Sequence, residues 1–213
     1  MAVKSNLLNM SLMLTLTCLV CSAILGGAYV ITKDPIDAAK AAKTNKAVSA
    51  VLPLFDDAQK GETALRDEAS GEEKPYVYYK AVKDDELVGY AIESSVSGFG
   101  GELKVLVGFT PDGKIFDTDV LVNNETPGLG AKCAESESVF RRQWKGFDPK
   151  VKMLSVKKEG GDIDAITAST ITSKAYTQAV YNAVQVFDAL NGEAADAATG
   201  VSVHPKEGGQ SNE

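Results

Sequence analysis

Apolar residues run almost unbroken from Leu7 to Ile31, and no charged side chain occurs between Ser5 and Thr32. About 20 such residues suffice to cross a bilayer as a helix. The pattern therefore predicts a transmembrane anchor over residues 1–32. A cleaved signal peptide is the rival reading, but it calls for a shorter apolar core. Here Tyr29, Val30 and Ile31 carry the apolar run past the small residues Gly26, Gly27 and Ala28. From Pro35 to Leu52 the chain is rich in Ala and Lys, with no interior Pro or Gly. That composition predicts a separate helix, starting at Asp34 and Pro35 and ending before Pro53. Asp56 to Lys74 is polar and is expected to be irregular.

The pattern then changes period. Residues 75–81 are aromatic and β-favouring, Asp84 and Asp85 mark a turn, and Leu87 to Ser94 reads as the partner strand. Glycines 98, 100 and 101 follow. They fit either a plain loop between strands or a close approach of backbone to a ligand. Leu103, Val105, Val107 and Phe109 alternate with other residues, Pro111-Asp112-Gly113 is a turn signal, and Ile115 to Val122 returns as the second arm of a hairpin. Asn123 to Gly130 is a loop with special backbone needs. Lys132 to Lys145 is expected to be helical, with Trp144 in the core rather than against a ligand. Val151 to Val156 is expected to form a strand.

The last periodic segment holds the candidate chemistry. Ala175, Tyr176, Ala179, Val180, Ala183, Val184, Phe187 and Leu190 form the i, i+3, i+4 stripe of a helix, and Asn191-Gly192 is a usual stop. Thr167, Ser169, Thr170, Thr172 and Ser173 crowd its start. Two roles fit such a run. It can cap the helix with hydroxyls to spare, or it can bind an anion, phosphate above all, at the free amides and positive dipole end of the helix. From Ala194 onward the chain has little apolar content, which predicts a flexible tail over residues 193–213.

Composition narrows the function. The chain has 213 residues and a formal net charge of −7, with no basic patch, so nucleic acid is not expected as a partner. The only histidine, His204, lies in the tail, so a catalytic triad or a histidine-based metal site in the folded part is not expected. No catalytic or metal-ligating residue is assigned. Cys18 and Cys21 fall inside the apolar span and read as membrane helix rather than a redox pair, and Cys133 has no cysteine partner in the folded part.

Three motifs, in order along the chain, resemble known families. Asp164 lies six residues before Thr170. This spacing resembles the flavin-attachment motif of the FMN-binding domain family, whose usual core is Ser-Gly-Ala-Thr. Here that core reads Thr167-Ala168-Ser169-Thr170. Asn124-Glu125-Thr126-Pro127-Gly128-Leu129-Gly130 resembles a segment of the G subunit of the Rnf electron-transport complex. The C subunit of the sodium-pumping NADH:quinone reductase shares that segment. Ser97-Gly98-Phe99-Gly100-Gly101 resembles the glycine-rich turn of the same families. The likeness spans roughly residues 38–190, and the shorter chain favours the Rnf family.

The resemblance implies an α+β protein: one N-terminal transmembrane helix, then a single FMN-binding domain at 33–192 with a mainly antiparallel sheet and packed helices. It implies FMN joined through a phosphoester to Thr170. Thr167, Ser169, Thr172 and Ser173 would serve the phosphate. Gly98, Gly100, Glu125, Thr126, Gly128 and Leu129 would lie along the rest of the cofactor. Asp164 would act in recognition by the modifying enzyme or in holding the turn. Expected partners are the other subunits of the Rnf complex, a flavin transferase for maturation, and membrane lipid. Counting Lys4 against Lys33, Lys40, Lys43 and Lys46, the positive-inside rule would place the domain in the cytoplasm. The resemblance implies the opposite, periplasmic side of the inner membrane, and three ordered motifs outweigh so few lysines. The chain is thus expected to be an electron carrier within a ferredoxin:NAD complex that moves Na⁺ or H⁺. The alternatives are the quinone-reductase family or a flavin-free membrane-anchored binding module.

Overall fold

A computed structural model describes residues 7–66 and 73–199. The chain divides into two compact units, Met1–Asn45 and Lys46–Glu213. One helix, α1 (Leu7–Val51), contains all of the described part of the first unit and ends inside the second. In its apolar stretch the side chains are exposed on every side, and it is long and apolar enough to cross a membrane.

The expected break at Asp34 and Pro35 does not occur. Pro35 lies inside α1. A proline there leaves one carbonyl of the preceding turn without its donor. The segments on both sides form helix readily, and helix propagation is cooperative. One lost bond does not stop it.

The second unit is built on a five-stranded antiparallel sheet in plain meander order: β1 (Asp57–Arg66), β2 (Glu73–Lys83), β3 (Glu86–Ser97), β4 (Glu102–Phe109) and β5 (Ile115–Asn123). The mainly antiparallel sheet and α+β class expected from sequence are present. β1 is the correction. The sequence pattern predicts irregular chain here, yet all residues from Asp57 to Arg66 pair with β2. As an edge strand β1 is largely exposed, so it lacks the apolar alternation that identifies a half-buried strand. Residues 67–72 of the same expected loop lie outside the described residues. The β2–β3 turn places Asp84 and Asp85 at φ 51° and 64°. These are the left-handed conformations that a two-residue hairpin needs.

Each face of the sheet is covered. On one, Tyr90, Ile92, Leu103, Val105, Val107 and Phe109 pack against α3 (Thr170–Thr199) through Tyr176, Ala179, Val180, Ala183 and Phe187. On the other, Ala47, Val48, Val51 and Leu52 pack on Ala81, Ala91, Leu106 and Leu121. Gly108 permits that contact, since a Cβ there would lie 1.7 Å from the Val51 carbonyl oxygen.

Three further expectations are corrected. The helix expected over Lys132–Lys145 is two short pieces, a 3-10 turn at Gly130–Ala134 and α2 (Val139–Arg142). Ser138 restarts the helix, its hydroxyl accepting a hydrogen bond from the Arg141 amide. Val151–Val156 is not a strand; only Val156 pairs, in a single bridge to Ile163. α3 passes Asn191-Gly192 and continues to Thr199, because a glycine inside a helix costs only about 1 kcal/mol. The remainder of the expected tail, residues 200–213, lies outside the described residues.

Candidate functional site

The hydroxyl run divides by burial and bonding. Ser173 is fully buried and occupied twice: its hydroxyl donates to the Ser169 carbonyl at 2.9 Å and accepts from the Ile166 amide at 2.8 Å. It locks the turn that precedes α3. Thr172 is also buried, and its hydroxyl donates to Glu125 Oε2 at 2.9 Å. Among the described residues, the hydroxyls of Thr167, Ser169 and Thr170 make no hydrogen bond within the protein. Thr167 is exposed, Ser169 buried and Thr170 half-buried at the first position of α3. The capping and anion readings of the run therefore fall on different residues. Ser173 builds the helix start, while Ser169 and Thr170 present free hydroxyls beside first-turn amides that have no partner within the helix.

These two hydroxyls face a cleft of about 400 Å³ lined by Phe99, Glu125, Thr126, Leu129, Gly130 and residues 168–172. That volume suits a small-molecule site. One part of the wall is apolar and open to solvent, with Phe99 68%, Leu129 44% and Ile171 57% exposed. A flat apolar ring has surfaces to lie on here, and a phosphate has hydroxyls and a helix N-terminus. The residues fit FMN.

Of the residues expected from sequence, Glu125, Thr126, Leu129, Ser169, Thr170 and Thr172 line the cleft together. Gly98, Gly100, Gly128, Thr167 and Ser173 are not among its lining. Gly98 and Gly100 instead lie close against Glu125 and Asn124. Gly128 serves the loop backbone at φ 75°. Gly130, the last residue of the loop motif read from sequence, joins the lining, as do Phe99, Ala168 and Ile171, to which the sequence pattern gives no role of their own. An aromatic set between glycines was the available signal for Phe99: a large apolar side chain in a turn has no core to enter.

Asp164 stands apart from the cleft lining. Its amide donates to Gln143 Oε1 at 2.8 Å, its carbonyl accepts from Gln143 Nε2 at 3.0 Å, and its exposed carboxylate pairs with Lys157 at 2.7 Å. Gln143 thus holds the turn and leaves the carboxylate on the surface. Lys174, in the second turn of α3, pairs with Glu159.

Behind the cleft, Arg141 is nearly buried. Its Nε donates to the Thr118 carbonyl at 2.7 Å, and its Nη1 pairs with Asp119 at 3.0 Å. The Tyr176 hydroxyl donates to Thr118 Oγ1 at 2.8 Å, and Trp144 stacks on the Tyr176 ring. These contacts fix the α2 segment and α3 to β5. Burial, with the Glu125 carboxylate adding to it, pushes the Cys133 thiol up to about 12, so it is an uncharged core group rather than a nucleophile. Among the described residues no cluster of His, Cys, Asp or Glu is arranged to hold a metal ion.

Residues 98–185 match the family described as FMN-binding domain. The chain is also similar to the G subunit of the proton-translocating ferredoxin:NAD(+) oxidoreductase complex of Clostridium ljungdahlii. The two are 35% identical over 182 residues, covering 84% of this chain and 90% of that protein. It is 41% identical over 129 residues to the G subunit of the Na(+)-translocating ferredoxin:NAD(+) oxidoreductase complex of Acetobacterium woodii, covering 57% of this chain and 61% of that protein. It is 31% identical over 193 residues to the G subunit of the ion-translocating oxidoreductase complex of Shewanella baltica, covering 87% and 91%.

Proposed function

This chain belongs to the G-subunit family of the ion-translocating (Rnf) ferredoxin:NAD(+) oxidoreductase complexes, and from that membership we propose that it is an electron-carrier subunit holding FMN on Thr170. The attachment is a phosphoester between the threonine hydroxyl and the FMN phosphate, made by a flavin transferase. When bound, FMN supplies reversible one- and two-electron transfer. The protein's own residues bind and orient it. The Ser169 hydroxyl and the first-turn amides of α3 neutralise the phosphate end. Phe99, Leu129 and Ile171 offer apolar surface to the ring. No residue of this chain is assigned a bond-making step in electron transfer.

The observation that carries the reading is the free, half-buried Thr170 hydroxyl at the start of α3, inside a cleft with exposed apolar walls. Asp164, held by Gln143 and displayed at the surface, suits recognition by the modifying enzyme.

Residues 1–32 act as the anchor in membrane lipid, residues 33–192 as the flavin domain, and residues 193–213 as its tail. The protein is membrane-anchored, and the reading places the domain on the periplasmic face of the inner membrane, beside the other Rnf subunits. Within that complex it relays electrons between ferredoxin and NAD while Na⁺ or H⁺ is moved. A carboxy-terminal alkaline phosphatase fusion should be active, and an inactive fusion with a fluorescent cytoplasmic reporter would reverse the orientation.

The deciding test is a denaturing gel of protein matured with a flavin transferase. Wild type and Thr172→Ala should give a fluorescent band, and Thr170→Ala should give none. Fluorescence surviving in Thr170→Ala would show that the acceptor is another residue. A purified complex carrying Thr170→Val should assemble and lose ferredoxin:NAD electron transfer. Full activity in that flavin-free complex would overturn the carrier role and favour the flavin-free binding module.

A further inference from the structure

We propose that Glu125 is a positioning residue for the cofactor: its buried carboxylate latches the turn carrying Phe99 to the first turn of α3, and so fixes the walls of the cleft. The inference rests on the FMN reading of that cleft. Glu125 is only 6% exposed. Its Oε1 accepts from the Phe99 amide at 2.8 Å and its Oε2 from the Thr172 hydroxyl at 2.9 Å. One side chain therefore joins the β3–β4 turn, the loop after β5 and the helix that begins at Thr170. Its own amide donates to Asn123 Oδ1 at 3.0 Å, which holds the loop from the other side.

The surrounding glycines are cut to this latch. A Cβ on Gly98 would lie 2.0 Å from Oε1, and one on Gly130 would lie 2.8 Å from Oε2 and 2.6 Å from Thr172 Oγ1. A Cβ on Gly100 would lie 2.1 Å from the Asn124 carbonyl oxygen. None of the three has a positive φ. What these positions use is the small size of glycine, and the space it leaves is filled by Glu125 and its loop.

Hydrogen bonds to a carboxylate are stronger than neutral ones, and a buried carboxylate stripped of its donors is costly. Glu125 therefore favours the one arrangement in which both donors reach it. Phe99 is bonded through its amide, and Thr172 lies two residues beyond Thr170. Closing the latch sets the aromatic wall against the attachment point.

Glu125→Gln separates geometry from charge. The amide oxygen can accept from Phe99, and the amide nitrogen can donate to the Thr172 hydroxyl, which rotates to accept. Glu125→Ala removes both bonds. The first readout is hydrogen exchange in the 97–101 turn of the full-length, flavin-free protein. Wild type and Glu125→Gln should be alike, and Glu125→Ala should exchange about tenfold faster, as expected for a lost buried bond. Equal exchange in wild type and Glu125→Ala overturns the latch. The second readout is fluorescence anisotropy of flavin on the matured full-length protein. It should be high and equal in wild type and Glu125→Gln, and lower in Glu125→Ala. Unequal exchange with unchanged anisotropy overturns the positioning role.

A wild-type protein that takes up no covalent flavin overturns the cofactor reading, and the positioning role with it. The exchange result, taken without flavin, keeps that failure distinct from failure of the latch. Should Glu125→Ala not fold, Thr172→Val cuts a single bond and is expected to lower the anisotropy part of the way. An unchanged value in that variant overturns the proposal.

Discussion

The two long helices obey opposite rules. Between Leu7 and Ile31, α1 is apolar on all sides, and every one of those side chains is exposed. α3 gathers most of its apolar residues on one stripe, leaving Ile171 and Tyr181 exposed, and Tyr176, Ala179, Val180, Ala183 and Val186 on that stripe are fully buried. A helix with no polar side has no face to offer water and needs lipid, whereas a striped helix needs a sheet or another helix. The amount of apolar side chain sets the solvent; its arrangement sets the packing. Function follows the same division. α1 contributes an anchor with no designated face, and α3 contributes both a packed stripe and a first turn free to meet a ligand.

The largest test of this contrast is removal of residues 1–32. The shortened protein should move wholly from the carbonate-washed membrane to the soluble fraction. Its domain should melt within about 4 °C of the full chain, since among the described residues the buried core begins at Ala47. A larger loss would mean that the apolar part of α1 packs on the domain. A mature full-length protein whose amino terminus maps near Ala28 would instead identify a cleaved signal.

Next in size is a matched pair of truncations. Phe187 is buried on α3, stacking on Phe109 with ring centres 4.9 Å apart. Phe187→Ala should cost the domain about 3–5 kcal/mol. Leu19→Ala, on the exposed stretch of α1, should change domain stability by less than about 0.5 kcal/mol. Chemical unfolding followed by Trp144 fluorescence measures both. Equal effects would erase the distinction between the helices.

What could be read from sequence follows the same line. The α3 stripe and the β4–β5 hairpin were legible because burial on one face imposes a period. β1 was not, because an edge strand exposed on most of its length imposes none. The end of α3 was misplaced because Asn-Gly only biases a helix towards stopping. Within the site, Thr170 and Leu129 were legible through local motifs. The pairing of Thr172 with Glu125 was not, because 47 residues separate the partners and no local pattern records their meeting. The same gap hid the use of Gly98 and Gly130, which a sequence reads as ligand approach or loop and which the fold uses to clear space for a carboxylate.

A smaller test uses the cysteines. Cys18 and Cys21 are exposed on α1, while Cys133 is buried in the core that α3 covers. Burial raises the Cys133 thiol from 9.0 to about 12 in the folded protein. Below pH 9 the thiol is protonated in both states and contributes its full stability. As pH rises from 9 towards 12, only the unfolded chain loses the proton, so folding weakens. By pH 10 the loss should be about 1 kcal/mol. Cys133→Ala should remove that slope, whatever its effect at neutral pH. Unfolding titrations at pH 8 and 10 compare them, and an identical slope in the variant would mean that the thiol ionises freely in the folded state.

The smallest effect lies where α3 begins. Each long helix carries one local violation: Pro35 inside α1, and Ala168 at φ 61° just before α3. The left-handed region costs an alanine about 1–2 kcal/mol relative to its preferred conformations. Ala168 is exposed, so its methyl group gains no packing to offset that cost. The resembling motif, Ser-Gly-Ala-Thr, has glycine at this place. Glycine adopts the conformation freely but gives the unfolded chain more entropy, which returns about 0.4–1 kcal/mol. Ala168→Gly should therefore stabilise the domain by about 0.5 kcal/mol, with Thr170 still labelled by flavin. The measurement is the denaturant midpoint at constant slope, beside the fluorescent band. A destabilised variant would mean that the methyl group restrains the turn, so that the start of α3, unlike the exposed apolar length of α1, depends on stiffness at a single exposed residue.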